Sequence, residues 1–435
     1  MTLSLLDAND KPGKHANSWY SATANALKEF PPAKGAATYD VAIVGAGFSG
    51  LSAALHLSEL GFNVCVLDAH RVGWGASGRN GGQVGTGQRL EQGELEKRVG
   101  DRLARQAFDI GLEATDLVRS LIKRHKIKCS YKDGTIEASH RTRLDDELKE
   151  YAAFMVEKYN YTSMRFLSKE EMREKVGSSG FSTGILDTNT GHLHPLNYAR
   201  GLAKAAVKAG ADIFEMSRVT SVEGGLPCKV KTQDAEISAA HIILAANGYL
   251  GDLDKQVANH VMPINNFIVA TEPLDEQFAT SLIRDGEAIF DTRFVVNYFR
   301  LSDDKRMLFG GGENYSYKFP ADIEKTVRKP MLEVYPQLKD VKIDYAWGGT
   351  LAITMERLPH FEFRPDGILN VSGYSGSGIH MATMSGKLAA EAINGQMGRF
   401  DIMQSLPTPK FPGGAMLRWP LLPLAMTWYA LRDKF

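Results

Sequence analysis

The 435-residue chain has only three cysteines, Cys65, Cys129 and Cys228, odd in number and far apart. They form no CxxC or zinc-type spacing, so neither a disulfide scaffold nor a cysteine metal site is expected, and a reducing cytoplasm is the expected compartment. Net charge is also missing, because 51 Lys+Arg balance 51 Asp+Glu. Without a basic surplus there is no electrostatic reason to expect a nucleic-acid partner or an anionic membrane. No run of about 20 apolar residues is present, so no membrane-spanning helix is expected. The nearest candidate, WPLLPLAMTWYAL at residues 419–431, is short and broken by two prolines. It reads as a tail packed on the body, with peripheral membrane contact as the alternative. The opening MTLSLLDANDKPGKH lacks the basic start and apolar core of a signal peptide.

The remaining composition is that of an ordinary globular protein, with 43% hydrophobic and 23% charged residues. At ~150 residues per domain the length suggests two or three domains, interleaved rather than sequential. Residues 1–38 are polar and proline-bearing and read as an arm over the body. Residues 39–68, YDVAIVGAGFSGLSAALHLSELGFNVCVLD, read as strand, glycine turn, helix, glycine turn, strand. Both strands are apolar throughout, as in a parallel sheet buried on both faces. Charged helical text fills 101–175, its charges read as solvated helix faces. A helix begins at Pro195 and closes at Gly210, and a short buried strand at 242–246 runs into Asn247-Gly248. Alternating aromatic and β-branched residues over 261–345 predict an antiparallel sheet. A strand at 368–372, a glycine loop at 373–378 and a helix at 381–393 follow. The fold class expected is mixed α/β: a Rossmann-like dinucleotide domain interleaved with an antiparallel-sheet domain. The boundaries expected are 39–100, 190–250 and 345–400 for the first, 101–189 and 251–344 for the second, and 401–435 for the tail.

Gly45-Ala46-Gly47-Phe48-Ser49-Gly50 matches GxGxxG in a strand-to-helix context. Gly45 permits the tight turn, Gly47 lets a pyrophosphate approach the backbone, and Gly50 lets helix and strand pack closely. The helix start offers free N–H groups and a positive dipole end to the phosphates. Asp68 ends the second strand, eighteen residues beyond Gly50 (68 − 50), where its carboxylate accepts from ribose hydroxyls and disfavours a 2′-phosphate. The loop RVGWGASGRNGG at 71–82 then interrupts with glycines and hydrogen-bonding residues, which suits a cofactor that extends past its pyrophosphate.

With these come GASGRNGGQ (75–83), GHLHPLN (191–197), ANGYLGD (246–252), GGGENY (310–315), KIDYAWGG (342–349), GYSGSG (373–378) and FPGG (411–414). The ordered set resembles the flavoproteins of the D-amino-acid oxidase and glycine/sarcosine oxidase superfamily, and more narrowly the bacterial γ-glutamylputrescine oxidases. The resemblance implies FAD laid over Gly45, Gly47, Phe48, Ser49 and Gly50, with Asp68 and Ala69 at the adenosine ribose. It implies Ser77, Gly78, Arg79, Asn80, Gly81 and Gly82 along the path to the flavin ring, and Val219 at the adenine. Ala246 and Asn247 stand beside the cofactor, and Gly376, Ser377, Gly378 and Ile379 offer N–H groups to the flavin carbonyls. Some relatives tether FAD through Cys or His. No Cys follows Cys228, and His70 lies before the critical turn, so noncovalent FAD is expected.

The implied reaction is oxidation of an amine C–N bond by hydride transfer to flavin N5. The imine is hydrolysed and O2 is reduced to H2O2. Relatives acting on α-amino acids often carry an arginine before a Thr-x-Asp-Gly-x-Pro run. Here Leu351-Ala352-Ile353-Thr354-Met355-Glu356-Arg357-Leu358-Pro359 is apolar at that point, with Arg357 further along. That departure favours an amine with a distant carboxylate, such as γ-glutamylputrescine, over sarcosine or pipecolate. A membrane-associated dehydrogenase passing electrons to quinone is the other alternative. Trp347, Tyr298, Tyr374 and Glu313 are the candidate substrate-pocket residues, and Arg300 is the candidate for a terminal carboxylate. His192 and His194 read as turn-stabilising, and no metal site is expected.

Overall fold

The computed structural model describes residues 4–314 and 316–414. The expected C-terminal tail from residue 415 onward, and Tyr315 of the GGGENY motif, lie outside the described residues.

Two sheets organise the chain. In the first, Gly35–Val44 is flanked in parallel by Val64–Leu67 on one side and Ala235–Leu244 on the other. Asp212–Phe214 extends the sheet beyond Val64–Leu67, and Ile368–Ser372 extends it beyond Ala235–Leu244, both in parallel. His360–Phe363 closes that edge antiparallel. The central segments Val41–Val44 and Val64–Leu67 are buried throughout, as continuous apolar runs between helix layers must be. The helices Phe48–Glu59, Pro195–Ala209 and Gly378–Ile393 pack as a layer on one face, with Leu51, Leu55, Tyr198, Leu202 and Met384 in a shared core. Pro195 sits in the first turn and Gly210 closes the helix in the left-handed region, the two ends where each residue belongs.

The second sheet runs Ile343–Ile353, Met262–Thr271, Met307–Asn314, Tyr298–Leu301, Ala288–Asp291, Lys132–Ala138, Gly184–His192 and Gln83–Val84. It is antiparallel except where Ala288–Asp291 meets Lys132–Ala138. Its core holds Ile136, Phe267, Phe299, Phe309 and Met331.

The structure moves three expected boundaries. The first strand starts at Gly35, four residues inside the expected arm, because 35–38 pair with 235–238. Gln83–Val84 and Ile343–Ile353 pair in the second sheet, although residues 83–84 and 345–353 fall in the dinucleotide segments expected from the sequence. The charged 101–175 region is mostly helical but also supplies Lys132–Ala138 and Met164–Leu167 to that sheet. Gly248 and Asn247 adjoin the end of Ile343–Ile353, so the two sheets meet there: a Cβ on Gly248 would stand 2.9 Å from the Leu351 carbonyl oxygen.

Candidate active site

A cavity of about 1080 Å³ is lined by both sheets and by the arm. One wall is the glycine turn. Gly45 has φ +111°, and a Cβ there would meet the Ala245 carbonyl oxygen at 2.8 Å. At Gly50 a Cβ would lie 1.9 Å from the Gly45 carbonyl oxygen, so only glycine allows this turn and helix to touch. The helix Phe48–Glu59 begins at Gly47 with no capping side chain of its own; the Phe48 N–H donates to Ser77 Oγ at 3.0 Å. The helix Gly378–Ile393 likewise starts on Ser377 without a side-chain cap. Two helix N-termini therefore point partial positive charge and backbone donors into one cavity.

Asp68 ends its strand on the same wall, its carboxylate accepting from the Ala46 N–H at 2.7 Å and the His70 N–H at 2.8 Å. Burial holds its pKa above the usual carboxylate range. Ala69, Val219, Ala246 and Asn247 line the cavity too, as do Gly376, Ser377, Gly378 and Ile379. Asn247, at φ +47°, accepts from the Gly373 N–H at 3.0 Å and so couples the 246–249 turn to the glycine loop. A Cβ at Gly378 would meet nothing within 4 Å, so this loop opens on free space. These donors, this carboxylate and this backbone approach fit an adenine dinucleotide carrying a flavin.

Of the expected cofactor residues, Gly45, Gly47, Phe48, Ser49, Ser77, Arg79, Asn80 and Gly81 line the cavity, whereas Gly50, Gly78 and Gly82 do not. Gly50 and Gly78 instead pack on backbone: a Cβ at Gly78 would stand 2.2 Å from the Gly73 carbonyl oxygen. The Arg79 side chain is drawn away, pairing with Asp10 of the arm at 2.6 Å and donating to the Trp74 carbonyl at 2.7 Å.

Among the expected substrate residues, Tyr298, Tyr374 and Glu313 line the cavity. The Tyr298 ring covers Gly81, where a Cβ would lie 2.7 Å from it, and its hydroxyl donates to Asn266 Oδ1. Tyr374 OH and Ser49 Oγ share a 2.6 Å hydrogen bond, and burial pushes the phenol up to about 12. Arg300 and Trp347 are corrections. Arg300 is 5% exposed and does not line the cavity. Its guanidinium donates to the carbonyls of Gly81 (2.9 Å) and Leu193 (3.0 Å), which leaves it no donor fork for a ligand carboxylate. Trp347, 2% exposed, gives its indole N–H to the Arg79 carbonyl at 3.0 Å and packs edge-on against Tyr20. Both brace the loop 79–82 from behind. His194 caps the helix at Pro195, accepting from the Asn197 N–H, and His192 bonds the Gly286 carbonyl; burial holds both near 3. Neither lines the cavity.

Sequence reasoning passed over Arg89, Glu137 and His380, all of which line the cavity. Strand alternation is the signal that finds Glu137: Ile136 enters the core while Thr135 and Glu137 face the other way. Burial, reinforced by the Glu91 charge, raises the Glu137 carboxyl to about 7. Burial and the nearby Arg357 charge depress Arg89. His380 follows Ile379 in the same helix; its Nε2 meets the Gly87 carbonyl at 3.3 Å, and burial lowers it to about 4.

The family pattern described as FAD dependent oxidoreductase, DAO, matches residues 40–392. The chain belongs to this family of FAD-dependent oxidoreductases. It is similar to the probable oxidoreductase OrdL of Rhizobium meliloti, at 41% identity over 96% of this chain and 97% of that one. It is also similar to the gamma-glutamylputrescine oxidoreductase of Escherichia coli, at 37% identity over 97% and 99%. Among solved structures, the glycine oxidase of Geobacillus kaustophilus superposes with a TM-score of 0.70 at 19% identity, covering 83% of this chain and 98% of that one. The protein is thus an FAD-dependent oxidoreductase. Among the described residues no helix is long and apolar enough to cross a membrane, and no cluster of metal-ligating side chains is found.

Proposed function

We propose that the protein is an oxidase of a primary amine whose far end is polar, with γ-glutamylputrescine as its substrate. The observation that carries this reading is the apolar wall at Leu351 and Ala352, where α-amino-acid oxidases of this family often carry an arginine. The relationship to the gamma-glutamylputrescine oxidoreductase of Escherichia coli supports it. In the same reading, the two sheets are interleaved cofactor and substrate domains.

FAD, when bound, supplies the acceptor for two electrons from the amine carbon, and O2 takes them on as peroxide. The chain's own part is to bind, orient and dry the site. Tyr298 and Tyr374 offer aromatic faces to an alkylamine chain. The start of Gly378–Ile393 places backbone donors and a dipole end where negative charge develops. A substrate ammonium has no lone pair, so a desolvating cavity that favours the neutral amine promotes the reaction. Noncovalent attachment is part of the proposal. The three cysteines are buried and none lines the cavity.

The test is anaerobic: γ-glutamylputrescine is added to the flavin-loaded protein and the flavin absorbance is followed. Rapid bleaching, with peroxide on readmission of air, is the expected result. Bleaching by pipecolate or sarcosine, but not by this amine, would overturn the substrate while leaving the family unchanged.

A further inference from the structure

Tyr298 is held in the cavity wall by contacts from several separate segments. Its ring lies between two glycines: a Cβ would stand 2.1 Å from it at Gly310, its partner in the strand register, and 2.7 Å from it at Gly81. A side chain at either position would displace the ring, so the two glycines together fix where it lies. Burial above all, with Tyr20 and Glu313 nearby, holds the phenol well above its usual range, so it keeps its proton.

That proton has a fixed destination. Tyr298 OH donates to Asn266 Oδ1, and Asn266 Nδ2 donates to the Gly312 carbonyl at 3.0 Å. The second bond decides which way the amide faces, since turning it over would set Oδ1 against the carbonyl oxygen of Gly312. Gly312 is the extra residue of a bulge. Asn266 stands opposite Glu313 and Phe267 opposite Gly311, which leaves Gly312 between them at φ +76°. A bulge of this kind re-aims the local backbone, here towards the Asn266 amide. Asn266 and Tyr298 both line the cavity, and among the described residues no protein group donates to the Tyr298 oxygen. Its lone pairs are left for a ligand.

We infer that Asn266 is a positioning residue that makes Tyr298 a hydrogen-bond acceptor: with its proton committed to Asn266, the phenol offers the reacting end of the substrate lone pairs only, and accepts an N–H of the amine. The inference rests on the amine-oxidase reading above and adds the residue that sets what the reacting end must present. The ring covers Gly81, on the loop expected to lead to the flavin ring, and this assigns the phenol to the reacting end rather than the far one. A neutral amine gives one N–H to Tyr298 and keeps its own lone pair for the C–N bond that becomes the imine. A carboxylate or carbonyl in the same place sets oxygen against oxygen with no donor between them. Asn266 and Tyr298 thus select against a carboxyl group beside the reacting nitrogen.

The test adds two probes that cannot be oxidised to the flavin-loaded full chain and follows binding by the flavin absorbance. tert-Butylamine has no hydrogen on its amine carbon and donates N–H; methyl tert-butyl ketone, of similar shape, only accepts. The wild-type protein is expected to prefer the amine. Asn266→Leu releases the phenol proton to the cavity, so that preference should fall about tenfold, chiefly through a gain in ketone affinity. Asn266→Asp gives up the bond to Gly312 but still accepts from the phenol, and should keep the preference to within about twofold. Flavin content and melting temperature check that each variant is folded. Where Asn266→Leu fails to hold flavin, Tyr298→Phe carries the test: the amine should lose about tenfold while the ketone does not weaken. An unchanged preference in folded Asn266→Leu overturns the inference. So do equal losses in Asn266→Leu and Asn266→Asp, parallel weakening of both probes in Tyr298→Phe, or a wild-type protein that does not prefer the amine. γ-Glutamylputrescine is added separately: the expected preference without bleaching by that amine defeats the oxidase reading alone, and bleaching without the preference defeats the role of Asn266 alone.

Discussion

Ser49 and Tyr374, 325 positions apart, share a 2.6 Å hydrogen bond. It joins the first turn of Phe48–Glu59 to the glycine loop before Gly378–Ile393, the two segments whose backbone donors face the cavity. Both residues are buried, so the bond satisfies polar groups that water does not reach freely.

Tyr374→Phe is therefore expected to weaken FAD without unfolding the protein. Losing one buried hydrogen bond costs about 1 kcal/mol, or roughly fivefold in affinity. Titrating the apoprotein with FAD by fluorescence quenching measures it; an unchanged dissociation constant would mean that the bond does not align the two turns.

Gly50→Ala should be far more severe. The new methyl would be directed onto the Gly45 carbonyl oxygen, which is backbone and has no rotamer to retreat into. A loss of about 3 kcal/mol is expected, seen as a lower melting temperature and as protein that purifies without yellow colour.

Arg300→Met should act on stability rather than on substrate affinity. It would leave the carbonyls of Gly81 and Leu193 without their buried donor, at about 3 kcal/mol. In the fraction that keeps flavin, KM for the amine should stay within twofold of wild type. A large selective rise in KM would return Arg300 to the substrate site.

Much of the cofactor site is legible in the sequence because its determinants are local. Gly45, Gly47 and Gly50 lie on one turn, and Asp68 ends the very next strand. Arg300 and Trp347 misled for the opposite reason. Their partners, the carbonyls of Gly81 and Arg79, come from more than two hundred residues away, so a buried brace and a ligand-binding side chain look alike in one dimension. Glu137 speaks only through alternation: set between the apolar Ile136 and Ala138, a single acid reads as the solvated face of a strand until the pairing shows that this face lines the cavity. The strand Gln83–Val84 has two residues and no periodicity to reveal it.

Glu137 gives a pH prediction. In the unfolded chain its carboxyl ionises near 4.5, in the folded protein near 7. Between those values the folded protein keeps a proton that the unfolded chain has released. Stability therefore falls as pH rises through the window, and the full cost stands above pH 7. Glu137→Gln removes that cost, on the order of 3 kcal/mol. Without an amine ligand, the variant should melt close to wild type at pH 4.5 and clearly higher at pH 8. Parallel curves across this range would mean that the carboxylate is already solvated or paired.

Covalent state has a direct readout. The Cys129 thiol is pushed up to about 12 by burial, and burial raises Cys65 and Cys228 as well. The folded protein should stay inert to a thiol-specific dye, and acid precipitation should leave all the yellow colour in the supernatant. Colour retained in the pellet would point to a tether such as His380.

The arm also bears on the order of assembly. Ser4, Leu5 and Leu6 form cavity wall, Asp7 pairs with Arg218, and Asp10 pairs with Arg79. These residues leave the ribosome before any strand of either sheet, yet they can dock only after both sheets exist. The segment can therefore take its place only when the walls that hold it have formed, and once there it covers one side of the cavity. Holding it open with a bulky N-terminal fusion should slow flavin retention more than flavin entry.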